Sequence, residues 1–181
     1  KPLLVTCIGC HGTDLNGDAG RKSPALASQN AWHLITQMQK YKHGIRGSDA
    51  SDVNAIAMKD ITSKLSDQQM ADIAAHIKKN FKGKQHKPTL GGNAAKGKQL
   101  FATCVACHGT EGQGNVQIKS PKLTGLSDWY IVESLKKFKS GKRGSTKGDV
   151  QGKLMQTSVQ QFIKNEQDMK DLAAFLNTFK P

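Results

Sequence analysis

All four cysteines of the 181-residue chain lie in two five-residue motifs of the form C-x-x-C-H, spelled CIGCH and CVACH. Their residues are Cys7, Cys10 and His11 in the first motif, and Cys104, Cys107 and His108 in the second. This motif is the signature of covalent haem attachment. Two thiols three positions apart on one helical turn can add to the two vinyl groups of one porphyrin, and the adjacent imidazole can bind the iron. The sequence therefore predicts two covalently bound haem c groups.

Two other uses of paired cysteines are less compatible with these motifs. A zinc site made of four cysteines commonly has about 15 to 20 residues between its two pairs. Here 93 residues separate Cys10 from Cys104. A thioredoxin-like C-x-x-C lies in a βαβ setting, and no such setting surrounds either motif. Haem is therefore the preferred interpretation.

The composition agrees with a chain that holds a cofactor in its core. Hydrophobic residues make up 36% of the sequence and aromatic residues 6%, which is low for a core filled by side chains alone. No run of eighteen apolar residues is present, so we expect no membrane-spanning helix. No signal peptide is visible, and the chain begins KPLLVTC without an initiator methionine. We therefore expect a processed or trimmed N-terminus.

The charge is strongly basic, with 27 Lys and Arg against 14 Asp and Glu, a net charge of +13. The basic residues are spread over both halves of the chain and do not form one arm, so a nucleic-acid partner is not expected. Such a charge favours encounters with an acidic protein surface. We expect acidic redox protein partners.

The chain repeats itself at an offset of 97 positions. This offset superimposes the two C-x-x-C-H motifs, the two Lys-Ser-Pro segments and the only two tryptophans, Trp32 and Trp129. It also places KYKHGIRG (40–47) on KFKSGKRG (137–144), and near the end of each half the offset becomes 99. The sequence therefore predicts two homologous domains, over residues 1–81 and 94–181. A linker rich in Lys, Gly and Pro joins them over residues 82–93.

Each domain is predicted to be all-α. Residues suited to begin a helix precede segments of helical character at Asn30, Ser66, Ser127 and Asn165. Gly44 and Gly141 end the first and third of these segments, and Ser66 opens an S-x-x-Q capping box. A further helix should lead from residue 94 into the second motif. Only six residues precede Cys7, so the matching helix of the first domain should be short or incomplete.

A methionine is predicted as the second axial ligand of each iron. The second half contains no histidine besides His108, so bis-histidine ligation there would require a histidine from the other domain. Met58 and Met155 repeat at the offset of 97 and each follows its motif histidine by 47 residues, outside any strong helical pattern. Met70 and Met169 also repeat, but they lie at core positions of the last helices, where a packed thioether is the simpler interpretation.

We therefore predict the ligand pairs His11 with Met58 and His108 with Met155. A thioether is a soft ligand that favours ferrous iron and raises the reduction potential. With both axial positions filled, the iron can change its charge but has no place for a substrate. This coordination predicts an electron carrier and not an enzyme.

Several motifs together resemble those of a known family. With C-x-x-C-H, a Lys-Ser-Pro turn, a G-x-R-G segment and a methionine ahead of a final helix, each half resembles a class I c-type cytochrome. The tandem resembles the dihaem cytochrome c4 family. The resemblance implies two all-α domains related by a pseudo-twofold axis, each wrapped around one haem, with propionates near their interface. It also implies a monomeric periplasmic shuttle between a respiratory donor and a terminal oxidase or periplasmic reductase, compatible with peripheral association at a membrane surface.

The resemblance assigns roles to three repeated pairs: Pro24 and Pro121, Trp32 and Trp129, and Arg46 and Arg143. The proline carbonyls would accept a hydrogen bond from Nδ1 of the ligand histidine, which orients the ring; a simple turn is the alternative. The tryptophans would lie near a propionate or pack in the core. The arginines would neutralise propionates or remain solvated.

The two domains differ from each other where the first and last helices should cross. The second domain has Gly97 and Phe101, with Phe175 as the expected partner across the helix contact. The first domain has Leu4 and His76 at the positions that match the two phenylalanines. The packing of its helices is therefore an open question.

Two further functions stay open beside the free carrier. A dihaem enzyme, of the peroxidase or thiosulfate-oxidising type, needs a vacant iron or an unusual ligand such as cysteine thiolate, and no cysteine is spare. An electron-entry subunit bound to a periplasmic dehydrogenase has the same sequence features as a free carrier.

Overall fold

The structure is a computed structural model that describes residues 2–181, with side chains described from Leu4 onward. The helices of the first half are α1 (Pro2–His11), α2 (Ala31–Lys42), α3 (Val53–Ser63) and α4 (Asp67–Asn80). Those of the second half are α5 (Ala94–Phe101), α6 (Val105–His108), α7 (Asp128–Lys139), α8 (Val150–Phe162) and α9 (Glu166–Leu176). Across the described residues the only extended pairings are two isolated bridges, which confirms the all-α prediction.

The last helix of each half begins with a reciprocal capping box. In α4 the Ser66 hydroxyl accepts from the Gln69 backbone N–H at 3.1 Å, and the Gln69 side chain accepts from the Ser66 N–H at 2.8 Å. In α9 Asn165 and Asp168 exchange the same two hydrogen bonds. Each box satisfies two backbone donors that a helix start otherwise leaves without partners. The predicted starts of both helices are confirmed.

Two helices were not expected from the sequence. Met58 lies in α3 and Met155 in α8, although neither segment shows a strong helical pattern in the sequence. Apolar residues on the solvent side hide the helical pattern: Val53 is 69% exposed and Leu154 is 66% exposed. A helix with apolar side chains on both faces lacks the one-sided stripe by which an amphipathic helix is recognised.

The crossing of the first and last helices is built differently in the two halves. In the second half Gly97 is buried against α9, where an added Cβ would lie 2.0 Å from the carbonyl oxygen of Asp171. The rings of Phe101 and Phe175 lie 5.5 Å apart, as expected. In the first half α1 spans ten residues and runs through the whole CIGCH motif. Leu4 packs there in the cluster that includes residues of α4.

The segment between the halves has hydrogen bonds to both of them. On the first half, the backbone N–H of Lys84 donates to the Asn16 side chain at 2.7 Å. On the second half, the Gln85 side chain donates to the Asn177 carbonyl at 2.9 Å, and the Leu90 N–H donates to the Asp128 carboxylate at 2.9 Å. The stretch predicted as a linker is therefore anchored at several points.

No helix in the described part of the chain is both long and apolar enough to cross a membrane.

Candidate haem-binding sites

The two motif histidines are buried and have matching surroundings. His11 Nδ1 lies 2.7 Å from the carbonyl oxygen of Pro24, and His108 Nδ1 lies 2.8 Å from that of Pro121. With Nδ1–H donating to a carbonyl, Nε2 is the ring nitrogen left with a lone pair for a metal. Burial lowers the pKa of both histidines, more than the proline hydrogen bonds raise it. Each imidazole is therefore neutral near pH 7 and suited to bind iron.

A tight loop places each proline carbonyl beside its histidine. The His11 carbonyl accepts from Gly17 N–H at 2.9 Å, and an antiparallel bridge between Asp18 and Ser23 closes the loop. Gly17 has φ +91°, and an added Cβ would lie 2.9 Å from the Ala25 nitrogen. Only glycine combines this backbone conformation with such a close approach. The second half repeats the loop, with Gly114 and the bridge from Asn115 to Ser120.

The cysteines of each motif differ in exposure. Cys7 and Cys104 are half-buried, whereas Cys10 and Cys107 are exposed. Burial raises the pKa of the Cys7 and Cys104 thiols, and the two cysteine pairs do not come together in the described structure as the ligands of one zinc ion would. Nor do three His, Cys, Asp or Glu side chains converge on a metal position anywhere in the described residues. The paired cysteine thiols therefore fit thioether bonds to a haem.

The four repeated methionines fall into two environments. Met70 and Met169 are fully buried in the helical core. Met58 and Met155 are half-buried, and Met155 borders the core of the second half. Of these four, Met58 and Met155 are the two that are not enclosed in the core, which agrees with their prediction as iron ligands.

A cluster of two arginines, Arg46, which is buried, and Arg143, which is half-buried, lies where the two halves meet. Arg46 packs over the ring of Tyr41 at 4.3 Å and donates to the Gln37 side chain at 2.6 Å. It also lies near the Tyr130 hydroxyl of the other half. Within the described structure its buried Nε has no hydrogen-bond partner. Arg143, from the second half, packs over the Phe138 ring at 4.3 Å.

The pKa values in this cluster report an excess of positive charge. Burial and the nearby Arg46 lower the pKa of Arg143 to about 10. Burial, Arg143 and Arg46 lower the pKa of His33 to about 3. Burial acts to raise the pKa of Tyr130, but Arg143 and Arg46 outweigh it and bring the value to about 8. Buried cations are stable only when paired, so this region is suited to carboxylates such as haem propionates.

The tryptophans border this cluster. The Trp32 ring meets His33 edge-on with centroids 5.5 Å apart, and the Trp129 ring meets Tyr130 in the same way at 5.8 Å. Both indoles are half-buried. The residues present thus fit two haem groups: neutral histidines, paired thiols and a cationic region with an unpaired guanidinium nitrogen.

Sequence reasoning missed the polar contacts between the halves. Lys40 pairs with Asp149, and Lys137 pairs with Asp52. Both lysines and both aspartates repeat at the offset of 97, as the motifs do. This shared offset is the sequence feature that could have pointed to the two ion pairs. It does not by itself show that each pair joins one half to the other.

Fold and site together define a tandem c-type haem protein in which each half carries one haem. Comparison with known proteins agrees: the family model described as Cytochrome c matches residues 3–81 and 94–180. Cytochrome c4 of Azotobacter vinelandii is 30% identical over 185 residues, covering 94% of this chain and 81% of that protein. The crystal structure of reduced recombinant cytochrome c4 from Pseudomonas stutzeri superimposes with a TM-score of 0.76 at 26% identity, covering 97% and 94% of the two chains.

A third relative is the thiosulfate dehydrogenase electron acceptor of Stutzerimonas stutzeri (strain A1501). It is 28% identical over 162 residues, which are 84% of this chain and 71% of that protein. The chain belongs to the cytochrome c family and, within it, to the dihaem cytochrome c4 group. It carries two covalently bound haem c groups and transfers electrons.

Proposed function

We propose that this protein is a periplasmic carrier that shuttles electrons between a respiratory donor and a terminal oxidase or periplasmic reductase, without catalytic activity of its own. The observation that carries the proposal is that each half has a buried, neutral motif histidine and a half-buried methionine at the same repeat position. A haem iron held from both sides changes oxidation state by one electron and keeps its ligands.

The ligand assignment is part of the proposal. His11 and Met58 would hold the first haem, and His108 and Met155 the second, with the two cysteines of each motif attached to the porphyrin. Pro24 and Pro121 support this assignment because each keeps its histidine in the tautomer that presents Nε2. The hydrogen bond from Nδ1–H also makes the imidazole a stronger electron donor toward a metal.

The cationic region between the halves would receive propionates. Arg46 and Arg143 offer planar guanidinium groups that suit paired hydrogen bonds to carboxylates. The unpartnered Nε of Arg46 supports this use, as does the low pKa of Arg143, which an adjoining carboxylate would raise again. Trp32 and Trp129 border the same region and would pack beside the propionate edges.

The free carrier has an experimental test in the access of small ligands to iron. Carbon monoxide added to the reduced protein, and cyanide added to the oxidised protein, should bind slowly and weakly at both haems. The weak far-red absorption of methionine-bound ferric haem should be present at the strength of two centres. Rapid ligand binding at either haem would contradict the carrier and favour an enzyme.

A second candidate function is electron entry for a dehydrogenase. It is favoured by the similarity to a protein described as the electron acceptor of thiosulfate dehydrogenase. The two candidates differ in how firmly the partner is bound. Purification at high ionic strength should yield a free carrier as a lone monomer, whereas a dehydrogenase subunit should remain with its catalytic partner.

We expect the redox partners to present acidic surfaces, because the polypeptide has a net charge of +13. Four haem propionates reduce that charge without reversing its sign. Electrostatic attraction raises the rate of encounter and is screened by salt. The rate of electron transfer to a partner should therefore fall as ionic strength rises, and a rate independent of salt would exclude an acidic docking surface.

A further inference from the structure

Two ion pairs cross between the halves at the start of the helices that carry the proposed methionine ligands. Lys40 Nζ, from α2, lies 2.5 Å from Oδ1 of Asp149, and Lys137 Nζ, from α7, lies 2.8 Å from Oδ2 of Asp52. The side chains of Asp149 and Asp52 are only 4% and 9% exposed. The two contacts are therefore sheltered and related by the same pseudo-twofold repeat as the haem motifs.

Each of these aspartates also caps the helix that follows it. Asp52 Oδ1 accepts from the Ala55 N–H at 3.2 Å and begins α3; Asp149 Oδ1 accepts from the Gly152 N–H at 3.0 Å and begins α8. In both cases the proposed methionine ligand follows six residues later. One carboxylate thus fixes the first turn of a methionine helix and binds a lysine that belongs to the opposite half.

Neighbouring contacts hold the same helix starts in place. Lys142 Nζ donates to the Ser51 hydroxyl at 2.6 Å, and the Thr146 hydroxyl donates to the Ile45 carbonyl at 3.1 Å, both across the interface. Gly152 has no space for a side chain, since an added Cβ would lie 2.0 Å from Asp149 Oδ2. The start of α8 is therefore closely packed as well as paired.

We propose that each half positions the methionine ligand of the other half through these crossed ion pairs. Lys40 acts on Met155, and Lys137 acts on Met58, by holding the capping aspartate of the helix concerned. The lysines are positioning residues and do not contact the iron. This inference rests on the proposed methionine ligation. Its consequence is that the redox properties of each haem depend on a residue from the other half.

The physical reason is the cost of leaving a sheltered carboxylate without its partner. Removal of one member of a buried charged pair leaves the other uncompensated. Asp149 would then turn toward solvent, and the first turn of α8 would move with it. A methionine on a displaced helix binds iron less firmly, so an added neutral ligand such as imidazole competes for the iron more successfully.

The experiment uses the holoprotein and marks one haem at a time. In a Met58→His background only the second haem keeps methionine, and in a Met155→His background only the first does. Lys40→Met is placed in both backgrounds, and imidazole binding is followed through loss of the methionine-dependent far-red band. We expect about tenfold tighter imidazole binding at the second haem, the effect of losing one charge-assisted hydrogen bond. Binding at the first haem should be unchanged.

Lys137→Met should give the mirror result, with the effect confined to the first haem. Matched controls come from the same helices: Lys42 and Lys139 repeat at the same offset but donate to carbonyls of their own half, Leu65 and Ile163. Lys42→Met and Lys139→Met remove the same charge and should not raise imidazole binding at the opposite haem. This comparison separates the ion pair from a general change in charge.

Asp149→Asn provides a second variant, because asparagine caps a helix as well as aspartate does but carries no charge. Because no carboxylate is left without its partner, Asp149→Asn should raise imidazole binding less than Lys40→Met does, and adding it to Lys40→Met should reduce the effect of that variant. Equal effects at both haems, an effect on the haem of the lysine's own half, or no effect would overturn the inference. If Met58→His and Met155→His leave the far-red band intact, the proposed methionine ligation itself fails instead.

Discussion

In the N-terminal half the helix that carries Cys7 and His11 packs on its neighbours through Leu4, whereas in the C-terminal half three phenylalanines join α5 to α9. Phe179 completes this aromatic group, with ring centroids 6.0 Å from Phe101 and 5.0 Å from Phe175. Nothing comparable exists in the described part of the first half, where His76 lies half-buried with its ring 6.2 Å from that of Phe81. The outer cores of the two halves have therefore diverged.

The surroundings of the motif histidines have not diverged. The distances from Nδ1 to the proline carbonyl are 2.7 and 2.8 Å, and the ion pairs between the halves are reciprocal. The motif residues, the two prolines and the paired lysines and aspartates repeat at the offset of 97, whereas other contacts between the halves, such as Lys142 with Ser51, do not. Positions on the far side of the core are free to change as long as apolar volume is kept. Repetition is thus kept around the motif histidines, although residues without a proposed role at the haem, such as Lys42 and Lys139, also repeat.

The largest expected effect is the loss of one cofactor from one half. Replacing Cys104 and Cys107 with alanine removes both thioether bonds in the second half, so the denatured chain should carry the mass of one haem. Intact-mass measurement under denaturing conditions tests this. The mirror variant at Cys7 and Cys10 should give the same mass. Retention of two attached haems in either variant would be incompatible with the motif assignment.

The second-largest effect should be a change in the reduction potential of one haem while the other potential stays the same. Met155→His replaces a soft thioether with an imidazole and should markedly lower the potential of the second haem. Spectroelectrochemical titration should show one shifted and one unshifted centre. Met169→Leu is the matched control, because Met169 is buried in the core, and it should leave both potentials in place. Equal shifts at both haems would contradict the ligand assignment.

A smaller effect is expected on the stability of the outer cores, where the halves differ. Phe101→Ala should lower the free energy of unfolding of the second half by about 4 kcal/mol, because it opens a cavity inside the aromatic group. Leu4→Ala should cost the first half about 2–3 kcal/mol. Denaturant unfolding followed at each haem tests the order. A greater loss of unfolding free energy for Leu4→Ala than for Phe101→Ala would show that the aromatic group does not make the core of the second half the more sensitive of the two.

The smallest effect should be equal in the two halves. Ser66→Ala and Asn165→Ala each remove a helix cap and should cost about 1 kcal/mol. Exchanging the caps, Ser66→Asn and Asn165→Ser, should be nearly neutral because both residues cap well. Thermal unfolding measures all four variants. A large difference between the two alanine variants would mean that the caps do not make equivalent contributions.

The sequence was informative wherever chemistry fixes both residue type and spacing. The C-x-x-C-H motifs, the core placement of Met70 and Met169, and the starts of α4 and α9 follow from local rules. The helices α3 and α8 did not follow, because residues such as Val53 and Leu154 place apolar side chains in solvent and blur the helical period.

Contacts between the halves were beyond local rules altogether. Lys40 and Asp149 are 109 positions apart, and no pattern within either half states which faces meet. Likewise, the pKa values of His33 and Arg143 are lowered by burial and by the approach of Arg46, from the first half, and Arg143, from the second. These ion pairs and pKa values arise only when the two domains pack together, so the three-dimensional structure is needed to find them.

The segment from Lys84 to Leu90 has a further consequence for how electrons move inside the protein. Because it is fastened to both halves, neither half can swing away from its neighbour on this tether. We therefore expect the distance between the two haem irons to be fixed. A viscous or crowded medium should lower the rate of encounter with other proteins. It should leave the rate of electron transfer between the two haems unchanged.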